Sequence, residues 1–258
     1  MNSGISLAIS HTPWIPQRRE SLRRLLDQLG SCEVTLFQDR LPNWAWSYQM
    51  WSWALQTGDR HCLFLQDDVQ IAPDFWPQLR EMISEAPDEI IGLESCHPAA
   101  RTIAREGLGW YTTIDGLVGP GYVVPGRILA DFLSWRAREL MPGAALKISE
   151  DTLIGLCAMA RGRRIFHPTP TIIDHDLSIK STYGNDVHRH RRPYATWHDF
   201  DRSTLDCDAS KAVHLGRFYP SNHWLCRQYV YDWTPEKHWA AELDSCPAQY
   251  AEGLCPPA

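Results

Sequence analysis

Between His61 and Trp76 the chain reads HCLFLQDDVQIAPDFW, and the apolar run Cys62, Leu63, Phe64, Leu65 stops at Gln66, Asp67 and Asp68. Adjacent carboxylates are hard oxygen ligands. Mg²⁺ or Mn²⁺ is commonly held by one or two of them and completes its shell with water and substrate phosphates. An acidic pair at a strand end also caps a turn by local hydrogen bonding, so both roles stay open here. A second candidate is Ser149-Glu150-Asp151. Acidic residues in a first helical turn favour the helix dipole, and a carboxylate at a helix start in a crevice can also act as general base toward a hydroxyl. The third is His175, closing the run PTIIDHD. A lone histidine is more often a surface or satisfied core residue, but a neutral imidazole is a reasonable ligand to Mn²⁺.

The elements that must position these groups alternate. Residues 4 to 10, GISLAIS, read as a strand. QRRESLRRLLDQLG follows with Leu22, Leu25, Leu26 and Leu29 at helical spacing and Gly30 as a stop; Glu33 to Phe37 then gives a second strand. The tryptophan-rich segment NWAWSYQMWSWALQTG reads as a helix, and the short apolar run before Gln66 as a strand buried on both faces of a parallel sheet. Pro73 to Ala86 is expected as a helix and 89 to 95, EIIGLES, as a fourth strand. Strands alternating with helices predict an α/β fold whose ligands bind outside the carboxyl ends of the strands.

Beyond residue 95 the pattern thins. Arg101 to Trp110 reads as a loop, Tyr122 to Val124 as a short strand, and residues 127 to 139 and 149 to 162 as helices, the second capped by Ser149. After His175 the periodicity fades, and no sheet is expected in the aromatic, histidine- and proline-rich remainder. The expected division is a core at 1–185 and an irregular C-terminal extension at 186–258 packed on it.

Composition narrows the function classes. With 258 residues, 44% hydrophobic and a net charge of -6, the chain can bury a substantial core but has no overall basic field for nonspecific nucleic-acid binding. Its eight cysteines include no CxxC pair, which argues against structural zinc. Cys62 and Cys157 lie in apolar runs and are expected as core thiols. The N-terminus has no signal-like pattern and no apolar stretch reaches membrane-span length, so a reduced, cytoplasmic protein is expected. GLVGPG at 116–121 lacks the GxGxxG spacing, and neither a P-loop nor a GxSxG elbow occurs. Its glycines let backbone approach a sugar ring closely, or simply make a turn. Lys180, Arg189, Arg191 and Arg192 form a basic run with His188 and His190: a solvated loop, or a grip on phosphate. Tyr194, Trp197, Phe200, Phe218, Tyr219 and Trp224 supply rings that could stack on sugars or bases.

Taken in order, the opening β-α-β unit, LFLQDDV, GPGYVV, SEDTLIGL and TIIDHD resemble a nucleotide-sugar-dependent glycosyltransferase of the GT-A fold. The resemblance spans residues 4 to 185. It implies a single Rossmann-like mixed central sheet flanked by helices. Asp68 matches the acidic position that ligates the metal, Asp67 the middle position, and Gln66 departs from the usual first acidic residue, a variant similar to the EDD form of lipooligosaccharide-type transferases. Asp151 matches the catalytic base of inverting members, Glu150 its orienting neighbour, and His175 the C-terminal metal ligand. The resemblance further implies that His11, Thr12, Asp39 and Asp67 contact the donor, with Gly119 and Gly121 near the donor sugar and acceptor; Lys180, from the basic run, is the candidate grip on the donor diphosphate. The implied cofactor is Mn²⁺ or Mg²⁺ and the implied donor a nucleoside-diphosphate sugar, a UDP-sugar ranked first. A glycan or small molecule ranks first as acceptor. A 5-hydroxymethylated DNA base, flipped from the stack, comes next, against the net charge. Two rivals remain. A nucleotidyltransferase would want a glycine-rich, Lys/Arg-bearing signature after the first strand, and a non-catalytic carbohydrate-binding or scaffold protein would explain Gln66 as decay of the site.

Overall fold

The computed structural model describes residues 4–38, 43–94, 97–117, 119–140, 148–176, 178–179 and 193–216. Its first half follows the hydrophobic pattern: β1 (Ile5–His11), α1 (Pro16–Leu29), β2 (Thr35–Gln38), α2 (Asn43–Gln56) and β3 (His61–Gln66). Pro16 opens α1, where its missing N–H is no loss, and Gly30 ends it at a φ of 71°, a backbone conformation that side chains resist. Next come β4 (Val69–Ile71), α3 (Phe75–Glu85), β5 (Ile90–Gly92), α4 (Ala100–Arg105), β6 (Trp110–Thr113) and β7 (Gly121–Pro125). The order finishes with α5 (Gly126–Arg138), α6 (Glu150–Ala160), β8 (Ile165–Pro168), β9 (Ile173–His175) and β10 (Val213–His214).

Eight strands form one mixed sheet in the order β10-β6-β8-β5-β7-β3-β1-β2, and β4 pairs with β9 in a separate ribbon. Period-two alternation divides the core. Leu7, Ile9, Leu63 and Leu65 face α1 and α3 through Leu22, Leu25, Phe75 and Leu79. Ala8, Cys62 and Phe64 face the other way, toward Trp51 of α2, Phe132 of α5 and the helix α6. From Leu153 to Ala160 every residue of α6 is buried, as expected of a helix apolar on all sides. The fold is therefore a mixed α/β sheet with helices on both faces.

Chain order places a ligand crevice. From β1 the chain passes through α1 to β2 on one side, then returns through α2 to β3 on the other side of β1, with both pairings parallel. That reversal is a topological switch point, and open α/β sheets bind their ligands at such a point, outside the carboxyl ends of the strands, here those of β1 and β3.

Several expectations change. β3 is parallel only to β1; its other neighbour, β7, is antiparallel to it and to β5. Arg101 to Trp110, expected as a loop, holds α4 and opens β6. Ala100, Ile103 and Ala104 pack with Tyr111 and Leu215, and a helix this short shows too little periodicity to read. The run after His175 is not without sheet, since β10 adds an edge strand parallel to β6. Buried Arg202 fastens that segment, donating to the Gly109 and Thr169 carbonyls at 2.8 and 3.2 Å and lying 4.8 Å from the Trp110 ring centroid. Cys62 and Cys157 are buried free thiols. Among the described residues no helix is long and apolar enough to cross a membrane. The basic run 180–192, the aromatics Phe218, Tyr219 and Trp224, and the candidates Asp39 and Lys180 lie outside the described residues.

Candidate functional site

At the switch point the ends of β1 and β3 are joined through Asp67. Its Oδ2 accepts the Thr12 N–H at 2.7 Å and lies 2.7 Å from His11 Nδ1, while the Asp67 N–H donates to the Ser10 carbonyl at 3.0 Å. Arg18, in the first turn of α1, supplies the counter-charge. NH1 reaches Asp67 Oδ1 and NH2 reaches Asp68 Oδ2, each at 2.6 Å. The planar guanidinium fork is suited to two acceptors held side by side, which a point-charge ammonium is not. Arg18, Asp67 and Asp68 are 5%, 0% and 1% exposed, so this is a buried ion network. Burial pushes the Asp67 carboxyl above the ordinary range, although Arg18 and the Thr12 N–H pull the other way.

β4 and β9 bring His175 to this edge, as expected. Val69 pairs with His175, and the Asp176 N–H donates to the Asp68 carbonyl at 2.8 Å. The imidazole Nδ1 lies 3.2 Å from Glu94 Oε1. Glu94 is fully buried two residues beyond β5, a strand whose carboxyl end opens on the same edge, and its Oε2 has no hydrogen-bond partner. Sequence reasoning missed it. Its signal was a carboxylate closing an apolar run, IIGLE, in the manner of LFLQDD. Burial, and secondarily Glu94, raise neighbouring Asp174 to about 6.

These residues do not fit a divalent metal as placed. Both oxygens of Asp67 and Oδ2 of Asp68 are engaged, leaving Asp68 Oδ1 as the one oxygen of the pair without a hydrogen bond. A dication at Oδ1 would meet the guanidinium on the same carboxylate. Among the described residues no three His, Cys, Asp or Glu side chains form a group that could hold a metal ion. The expected ligands Asp68 and His175 are therefore neighbours in the backbone that do not make a metal centre.

The base candidate lies across β3. Gln66 shares the parity of Cys62 and Phe64 and so faces the α6 side. A Cβ on Gly119 would fall 3.0 Å from Asp151 Oδ2 and 3.2 Å from Gln66 Nε2, so the glycine is what lets carboxylate and amide close in on this backbone. Asp151 and Glu150 are 7% and 6% exposed. Thr152 N–H donates to Asp151 Oδ1 at 2.8 Å, which fixes that carboxylate at the start of α6. Ser149 does not cap the helix as expected, because its hydroxyl pairs with Thr152 Oγ1 at 2.8 Å. Trp51 Nε1 donates to the buried Tyr122 hydroxyl at 3.3 Å, and burial together with the charges of Glu150 and Asp151 raises the pKa of that phenol. Gly121 has a different reason: a Cβ there would stand 2.5 Å from Ile173 Cδ1 and 2.7 Å from Leu65 Cδ2, so its small size serves packing. A separate cavity, lined by Arg60, Asp88 and Arg127, lies at the opposite edge, where β3 begins and β7 ends.

No family model matches the chain, and no curated protein matches its sequence. A solved structure, S. aureus TarS 1-349 in complex with UDP-GlcNAc, is similar to it at 13% identity with a TM-score of 0.39, over 63% of this chain and 55% of that one. The chain thus spans little more than half the length of the structure it matches.

Proposed function

We propose that the protein is a glycosyltransferase that moves a sugar from a nucleoside-diphosphate sugar to an acceptor hydroxyl. The observation that carries this proposal is the convergence of Asp151, Gln66 and Gly119 at the switch-point edge of the sheet, where His11, Thr12 and Asp67 join the ends of β1 and β3. A carboxylate held at a helix start by one neighbouring N–H is placed to accept a proton from a hydroxyl. The motif order described above supports the same assignment.

In this mechanism the donor diphosphate lies toward the ends of β1 and β3, where the amino end of α1 favours anionic groups. The acceptor oxygen attacks the anomeric carbon as Asp151 takes its proton. A carbon–oxygen bond forms to the acceptor, the bond to the diphosphate breaks, and its electron pair leaves on the phosphate oxygen. Attack opposite the leaving group inverts the anomeric centre. Glu150 orients Asp151 or the acceptor, and Gly119 lets the Asp151 carboxylate and the Gln66 amide close in on its backbone. A UDP-sugar is the first donor to test and a glycan or small molecule the first acceptor, with hydroxymethylated DNA second. Since the residues do not fit a metal, no step is assigned to one.

One observation favours a second role. Gln66 and the closed Arg18 network also suit a protein that binds a sugar nucleotide without transferring it. Release of nucleoside diphosphate from a panel of donors separates the two: turnover lost in Asp151→Asn supports transfer, and donor binding with no turnover under any acceptor sinks it.

A further inference from the structure

We propose that Arg18 is the resident cation of the strand-end carboxylate pair, so that the crevice is assembled without a divalent metal and Asp67 and Asp68 act as positioning residues. Three observations carry this. The guanidinium spans both carboxylates at 2.6 Å, using one nitrogen for each. Arg18 is 5% exposed, and its Nε already lacks a hydrogen-bond partner. A metal that displaced it would leave a buried guanidinium unpaired, the costly way to break an ion network. Finally, both oxygens of Asp67 are already engaged. Oδ1 holds Arg18, and Oδ2 holds both the Thr12 N–H and His11. What the pair does instead is tie the turn after β1 to the end of β3 and to the first turn of α1, shaping the crevice floor.

That the crevice so shaped accepts a nucleoside diphosphate rests on the function proposed above; the locking of the carboxylates does not. The test therefore has two arms. In the first, Mn²⁺ alone is titrated into wild type, Arg18→Ala and Arg18→Lys, and free Mn²⁺ is followed by electron paramagnetic resonance. Wild type is expected to leave Mn²⁺ free at concentrations where Arg18→Ala binds it. Arg18→Lys, which keeps the charge but cannot span two carboxylates, gains less and covers the case in which the alanine variant does not fold. Stoichiometric Mn²⁺ binding by wild type, or no gain in a folded variant, overturns the proposal.

In the second arm, thermal shift with UDP and UDP-sugars is compared with and without EDTA. The expected result is a nucleotide-induced shift whose apparent Kd changes by less than about twofold on chelation. A shift that exists only with Mn²⁺ overturns metal-free assembly while leaving the transferase proposal intact. A protein that ignores every nucleotide, with or without Mn²⁺, overturns the donor role instead, and the first arm still decides whether Arg18 locks the pair.

Discussion

His11 and Asp67 join the ends of the two strands that flank the switch point, Nδ1 to Oδ2 at 2.7 Å, across 56 residues of sequence. The same carboxylate holds the Thr12 N–H and half of the Arg18 fork, so its removal strands three donors at once. Asp67→Ala should cost about 3–5 kcal/mol, the range for removing one partner of a buried ion pair, read as a lower urea midpoint. Asp67→Asn keeps one acceptor oxygen and should fall between the alanine variant and wild type. An alanine variant as stable as wild type would remove the positioning role.

Two glycines two residues apart should fail differently. Gly119→Ala places a methyl 3.0 Å from Asp151 Oδ2 and 3.2 Å from Gln66 Nε2, so those side-chain ends must move. Turnover should drop, by less than the about 10²-fold that a full ångström's misplacement costs because the shift needed is a few tenths of an ångström, with little change in stability. Gly121→Ala drives its methyl to 2.5 Å from Ile173 Cδ1 and 2.7 Å from Leu65 Cδ2, between β9 and β3. Overpacking of this kind costs about 1–3 kcal/mol, so thermal denaturation should show the larger loss here. The opposite pattern would mean that Gly119 serves packing and Gly121 the site.

Asp151→Asn keeps the size of the side chain and can still accept the Thr152 N–H, but it cannot take the acceptor proton. Transfer should fall by about 10²- to 10⁴-fold, the usual contribution of a positioned general base. Donor affinity by isothermal titration should be unchanged. If kcat survives and only donor binding suffers, Asp151 is a donor contact and the base lies elsewhere.

Legibility in the sequence followed the physics of each residue's signal. The strand end at Gln66, Asp67 and Asp68 could be read because an apolar run stops there abruptly, and α1 because its leucines recur at helical spacing. Arg18 could not. In QRRESLRRLLDQL it is one of four arginines on an amphipathic helix and resembles solvent-facing charge; only the parallel pairing of β1 with β3 lays that first turn over the carboxylates. Glu94 was hidden for the same reason, since its neighbour His175 lies 81 residues away. β10 is two residues long and offers no periodicity.

Two buried histidines away from β3 set the acid limit of the fold. His97 and His167 are 0% and 1% exposed, flank Tyr111, and are held down to about 4 and about 3 by burial, with His97 adding to the depression of His167. Unfolded imidazoles titrate near 6.5, so below that pH the unfolded chain binds more protons than the folded one. The stability these neutral rings permit is complete above 6.5 and is lost as pH falls, through about 4 for His97 and further for His167. His97 alone should remove about 3 kcal/mol across its window. Asp174 has the reverse sign. Its carboxyl is raised to about 6, so the folded state holds the extra proton and stability declines as pH rises from about 4 to 6. The windows overlap between about pH 4 and 6, where two histidines outweigh one carboxylate, so urea unfolding should show stability rising with pH up to about 6.5. His97→Gln should flatten this rise, and Asp174→Asn should steepen it between pH 4 and 6. A His97→Gln variant with an unchanged acid limb would show that the ring is protonated at no cost to the fold.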